Sequence, residues 1–159
     1  MARRQARSFP PRFTWENAMK AASLVLLAAG LSDSARASPS PQAVVQAMFD
    51  AFNRHDAAAM ASLYADDARL ASSDFCANRS GPADVLRTYR ALFVAYPDIR
   101  DEVEQVVAQG DHVAVRFVAR SGQGSSALAM PIATFLTVRH GRIQSDESTF
   151  DTGGRACTP

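Results

Sequence analysis

"AYPDIRDEVEQVVAQGDHVAVRF", Ala95 to Phe117, packs a Tyr-Pro-Asp stop, two alternating segments and the turn between them into 23 residues. Pro97 disfavours helical geometry at Tyr96, so a helix running into this stretch must end there. Ile99, Val103 and Val106/Val107 then recur amid charges, the pattern of an edge-like strand. Gly110-Asp111 is a turn signal. "HVAVRFVAR" places Val113, Val115, Phe117 and Ala119 on one face and Arg116 and Arg120 on the other. A helix stopped by proline and followed at once by a hairpin constrains the whole fold.

Upstream, "GPADVLRTYRALFVAY" supplies that helix. Pro82 suits its first turn and Asp84 complements its positive end. Val85, Leu86, Tyr89, Leu92, Phe93 and Tyr96 form a broad apolar face. Further back, Val44, Val45, Met48, Phe49 and Phe52 make a helical stripe in "PQAVVQAMFDAFNRHD". Asn53 to Asp56 closes it, and Asp56 caps a second helix, "AAAMASLYA", which Asp66-Asp67 ends. "ARLAS" is a short strand, and "SDFCANRSG" is irregular. Downstream, "ALAMPIATFLTVR" reads as a long strand that tolerates Pro131 near its start. His140-Gly141 makes a hairpin turn, "RIQSDESTFD" is the last strand, and "TGGRACTP" is a tail. The order is α, α, β, α and a four-stranded antiparallel meander.

The segments "VQAMFDAFNRHDAAAMASLYADDARL", "AYPDIRDEVEQVVAQGDHVAVRF" and "FLTVRHGRIQSDESTFD", in that order, resemble the SnoaL-like branch of the NTF2-like superfamily. The resemblance spans roughly Pro41 to Asp151. It implies an α+β cone, with three helices packed on a strongly curved, mostly antiparallel sheet that encloses a pocket. It also implies a homodimer through the outer sheet face. It does not imply a reaction, because members include polyketide cyclases, epoxide hydrolases, isomerases and proteins used only for binding.

The chemistry must therefore come from particular residues. Enzymes of the resembled family use pocket carboxylates, raised in pKa by apolar walls, as general acid or base. Their last strand often carries an aspartate three residues before its terminal aspartate. Here the terminal position is Asp151 and the catalytic one is Ser148, so the expected acid is missing. Period-two alternation puts Asp146, Ser148 and Phe150 on one face and Glu147, Thr149 and Asp151 on the other. Asp146 is thus the nearest substitute. A solvated edge is the plainer reading for Asp146 and Glu147, because acids are rarely buried. Asp74, beside Phe75 and Cys76, is the other candidate catalytic acid. Tyr64, Tyr89 and Tyr96 offer phenols to a ligand, although tyrosine on an apolar helix face is commonly core. Phe117, Phe135 and Ser148 complete the expected ligand-binding set. Asp66-Asp67 and Asp98 have structural work at helix ends.

Other chemistries find no support. His55, His112 and His140 occupy three separate connections and read as exposed turn residues. They and the cysteines lack metal-ligand spacing. There is no phosphate loop and no G-x-S-x-G. "NRS" at Asn78 is a sequon of a kind common by chance. Expected cofactors and metals are none. The reading is a pocket for a small apolar or amphipathic molecule. The alternative is a cofactor-independent cyclase, epoxide hydrolase or isomerase acting on a cyclic ketone, epoxide or ester.

The formal charge of +1 hides an asymmetry. Arg3, Arg4, Arg7, Arg12, Lys20 and Arg36 crowd the first 37 residues, and the remainder carries a formal −3. A slightly acidic domain with scattered arginines offers no footprint for nucleic acid. In the basic leader, "AASLVLLAAGL" (Ala21 to Leu31) is an apolar run too short to span a bilayer, and "SARA" offers a cleavage signature. Residues 1–37 therefore read as a secretory signal peptide, with Met19 the more typical start. Residues 38–159 form the domain and its tail. The expectation is export to the periplasm or beyond, with no membrane anchor after cleavage. In an oxidising space Cys76 and Cys157 are expected to pair.

Overall fold

A computed structural model describes residues 38–122 and 128–157. The expected signal peptide lies outside them.

Helix α1, Pro41–Asn53, begins where the Ser40 hydroxyl accepts the Ala43 amide at 3.2 Å and Pro41 has no N–H to satisfy. Its stripe of Val44, Val45, Met48, Phe49 and Phe52 is buried. The short α2, Ala57–Ser62, is capped by the Asp56 carboxylate on the Ala59 amide. The chain then turns directly into strand β1, Tyr64–Ser72. This corrects the sequence reading. Tyr64 belongs to the strand and not to a helix face, and Asp66-Asp67 lie within that strand.

A two-residue strand β2, Arg79–Ser80, follows in the stretch read as irregular. Helix α3, Gly81–Ala95, opens at a glycine with φ +70°, where a Cβ would stand 2.6 Å from the Asp66 carbonyl oxygen. That approach requires glycine. Asp84 accepts the Ser80 amide at 3.0 Å in place of a side-chain cap. Strands β3, Arg100–Gln109, β4, His112–Ser121, β5, Leu128–Arg139, and β6, Arg142–Thr149, form the expected meander.

The curved sheet has the order β2-β1-β6-β5-β4-β3. β1 pairs in parallel with β6, and every other neighbour is antiparallel. β3 is an edge strand, as its charged pattern implies. At its start the Asn53 side chain replaces the missing neighbour: its amide donates to the Asp101 carbonyl at 3.0 Å, and its oxygen accepts the Asp101 N–H at 2.8 Å. An unpaired strand edge needs such partners.

Cross-strand register sorts the inner face into rows. One runs Leu70, Asp146, Leu136, Val113 and the next Ser72, Ser148, Thr134, Val115. Beyond them lie Ile132 with Phe117, then Met130, Ala119 and Asp101. The helices cover these rows, with edge-on aromatic contacts of Phe49 with Phe117 at 5.0 Å and Phe52 with Phe93 at 5.3 Å between centroids. Such pairs stabilise by about 0.5–1.5 kcal/mol beyond their area. Among the described residues no helix is long and apolar enough to cross a membrane.

Candidate ligand cavity

Between the helices and the inner sheet face lies a cavity of about 530 Å³. Leu70, Phe75, Tyr89, Leu92, Phe117 and Ile132 form much of its wall. Polar groups enter at three places: Asp146 with Ser148 on β6, Asp101 on β3, and Asp74 with Arg79 near the chain's last segment. Asp101 and Asp146 are three strands and three inner rows apart.

Asp146 is 6% exposed, so the solvated-edge reading fails for it. It holds for Glu147, which is exposed and pairs with Arg69 at 3.2 Å. The pleat explains the difference, since neighbours on one strand face opposite sides. The Tyr64 hydroxyl donates to Asp146 Oδ2 at 2.7 Å, and the Thr134 hydroxyl donates to Oδ1 at 2.6 Å. Ser148 adds a third hydroxyl. Burial raises the Asp146 pKa, and these donors work against the rise.

Tyr64 also hydrogen-bonds Tyr89. Its only proton is committed to Asp146, so its oxygen accepts from Tyr89. A chain of Tyr89, Tyr64 and Asp146 therefore leads from the cavity wall into the sheet. Burial raises the pKa of both phenols, with Asp146 adding to the rise.

Tyr64 was expected to meet ligand directly. It is fully buried behind the wall, because it stands on β1 and its hydroxyl is held by Asp146. Phe135 is a second correction. It is 60% exposed on the outer sheet face, in one row with Val107, Ala114 and Glu147. The long β5 alternates, and Phe135 is out of phase with the buried Ile132, Thr134 and Leu136. Tyr89, Tyr96, Phe117, Ser148, Asp74 and Asp146 line the cavity.

Asp74 accepts the Ser72 hydroxyl at 2.6 Å. Beside it Arg79 stacks over the Phe75 ring at 3.8 Å and donates to Thr88. Cys76 and Cys157 form a disulfide, as expected, with Cα atoms 4.9 Å apart. The bridge holds the chain's last segment against the cavity, where Thr152, Arg155 and Ala156 contribute to the lining.

Two of the three histidines are exposed, as read. His55 is not. Its ring stacks on Phe93 at 4.5 Å and its Nε2 meets the Ile99 carbonyl at 2.7 Å, so it fastens the α1–α2 turn to the start of β3. Asp98, read as serving a helix end, instead accepts from the Ser121 hydroxyl and the Gly122 amide at the end of β4. Among the described residues no group of three His, Cys, Asp or Glu is placed to hold a metal ion.

Asp101 is the residue the sequence reading missed. Its side chain lines the cavity and is 9% exposed, and Oδ1 has no hydrogen-bond partner among the described residues. Burial alone pushes its pKa up to about 8. The signal was present: Asp101 is in phase with Ile99, just before β3, and with Val103 within it.

The SnoaL-like domain model matches residues 45–145. The chain belongs to the SnoaL-like family. Solved SnoaL-like and NTF2-like structures agree with the fold. A candidate polyketide cyclase from Sinorhizobium meliloti is 26% identical, with TM-score 0.56, covering 66% of this chain and 92% of that one. The candidate polyketide cyclase IdmH from Streptomyces antibioticus is 23% identical, with TM-score 0.65, covering 72% and 94%. A Catenulispora acidiphila protein with a ketosteroid isomerase-like fold, in complex with trimethylamine, is 20% identical, with TM-score 0.62, covering 69% and 85%. No curated protein matches the chain.

Proposed function

We propose that this SnoaL-like protein binds one small amphipathic molecule of ring-system size in the cavity. The observation that carries the reading is an aromatic-walled space of about 530 Å³ with a few polar groups at its ends. Ligand sites are typically concave, mostly apolar and about 300–1,000 Å³. Both Asp146 oxygens already receive protein hydroxyls, which suits a fixed polar contact better than a free base. Related folds hold ligands of different character, trimethylamine in one and polyporic acid in another. Titration calorimetry against fused-ring ketones and phenols is expected to give saturable one-to-one binding. Phe117→Ala should weaken it, and Phe135→Ala on the outer face should not. Equal loss from both, or no binding across the panel, overturns the reading.

A second reading is cofactor-independent acid–base catalysis. It is favoured by the hydrogen-bonded chain from Tyr89 through Tyr64 to the buried Asp146. A proton taken up from a substrate by the Tyr89 oxygen would be passed on along that chain, Tyr89's own proton moving to Tyr64 and that of Tyr64 to the Asp146 carboxylate. Turnover of an ester or epoxide that vanishes in both Tyr89→Phe and Asp146→Asn supports catalysis. Turnover unchanged in both refutes it.

Export belongs to the same reading, since a structural disulfide persists in oxidising compartments. Intact mass of secreted protein should begin near Ser38. The outer row of Val107, Ala114 and Phe135 supports self-association through that face. Light scattering should report a dimer that Phe135→Glu dissociates.

A further inference from the structure

Asp101 is held in place by groups that ignore its carboxyl. Asn53 binds its backbone N–H and C=O, and β4 supplies Ala119 opposite it. The carboxyl itself lines the cavity, and its Oδ1 has no partner among the described residues. A buried polar atom without a partner costs roughly 1–3 kcal/mol. The contrast with Asp146, which three hydroxyls serve, shows that this fold can satisfy a buried acid. At Asp101 no described protein group supplies a donor to Oδ1.

The surroundings narrow the class of donor. Phe52, Tyr89, Tyr96 and Phe117 line the same space, and aromatic faces attract organic cations. The charged groups of the lining are three acids, Asp74, Asp101 and Asp146, against two arginines, Arg79 and Arg155. Of the other groups around Asp101, His55 is engaged by the Ile99 carbonyl and Asn53 by the Asp101 backbone. Tyr89 feels the fields of Asp146, Asp101 and Asp74 together. Glu102 on the next position of β3 pairs outward with Arg120.

We propose that Asp101 is a second polar anchor of the cavity and recognises a protonated amine on the ligand, whose N–H donates to the unpartnered carboxylate. This rests on the cavity reading and deepens it. The ligand then has an aromatic or alicyclic body against the phenyl rings and a basic nitrogen at the β3 end. Binding moves the Asp101 proton to solvent, because the paired form is carboxylate and ammonium.

The test uses three probes of similar size on the purified, oxidised protein: benzyldimethylamine, its uncharged isostere isobutylbenzene, and phenylacetate. The amine is expected to bind at least about tenfold more tightly than either, a preference of about 1.4 kcal/mol. Its affinity should rise by up to about tenfold per pH unit between about pH 6 and about pH 8, as Asp101 gives up its proton, and then level off. Asp101→Asn should erase both the preference and the pH slope while isobutylbenzene binds as before. Asp146→Asn should leave the slope in place. Isobutylbenzene binding as tightly as the amine, or a preference that survives Asp101→Asn, overturns the proposal but keeps the cavity reading. Failure of all three probes to bind overturns both. Thermal unfolding of each variant reports whether it is folded.

Discussion

Two acids lie at opposite ends of one cavity, and the protein treats them differently. On β6, Asp146 is wrapped by Tyr64, Thr134 and Ser148, and the segment just beyond that strand is stapled down by the disulfide. On β3, Asp101 is anchored through its backbone, and its Oδ1 has no partner among the described residues. The first end is built for its own stability. The second carries an unmet demand, and such sites are where ligands find purchase. A buried acid is therefore not one kind of evidence: its partners decide what it signifies.

The largest expected effect falls on the stapled end. Cys76→Ser with Cys157→Ser opens a loop spanning a sequence separation of 81, for which chain entropy predicts a loss of about 4–5 kcal/mol. Urea midpoints of the wild type and the double variant measure it. A loss below about 1 kcal/mol would mean the staple contributes little, and the contrast between ends would weaken.

Next come the acids themselves, where the contrast is one of sign. Tyr64→Phe removes a donor from a buried carboxylate and should cost about 1–3 kcal/mol. Asp101→Asn removes a desolvated carboxyl and should cost nothing or stabilise. Denaturation of both variants under one set of conditions decides it. Equal losses at the two sites would erase the distinction.

The pH dependence sharpens the comparison. Asp101 has a folded pKa of about 8, well above its ordinary value, so the folded state binds the extra proton. Its contribution is fully present below about pH 4 and is lost as pH rises toward about 8, at up to about 1.4 kcal/mol per unit. The raised pKa of Asp146 acts in the same direction. Stability should therefore decline from mildly acid to mildly alkaline pH. Asp101→Asn should remove most of that decline, and an unaltered profile in the variant would count against the burial cost at β3. The smallest effect belongs to the outer face, where Phe135→Ala should change monomer stability by no more than about 0.5 kcal/mol. A larger shift would mean that Phe135 packs against something on that face.

Most of the scaffold was legible because its signals are local. Pro97 stops α3, Gly110-Asp111 turns the first hairpin, and His140-Gly141 turns the last with both residues at positive φ. The start of β1 was not. Tyr64 and Ala65 continue a run of helix formers, and what makes them strand is pairing with β6, where Tyr64 meets Ile143. No window of adjacent residues contains that partner. The phase of Asp146 could be read from the period of two, but its burial could not. Buried acids are rare, and two of the three hydroxyls that make this one tolerable come from other strands, Tyr64 on β1 and Thr134 on β5. Asp101 was obscured by its neighbours. Arg100 and Glu102 face solvent and give the segment a charged look that hides one inward carboxyl.

The parallel pairing of β1 with β6 has a kinetic consequence. Leu70 meets Asp146 across nearly half the chain, and Cys76 meets Cys157 over a similar interval. Bringing such distant segments together is the slow, entropically uphill part of assembling a sheet. A chain that enters refolding with its bridge intact starts with that search largely confined, and β1 needs only to zip against a strand already nearby. A reduced chain must find the register by diffusion. The covalent link thus orders the assembly as well as anchoring its product: it brings the strand that carries Tyr64 to Asp146 early, before either is left exposed for long.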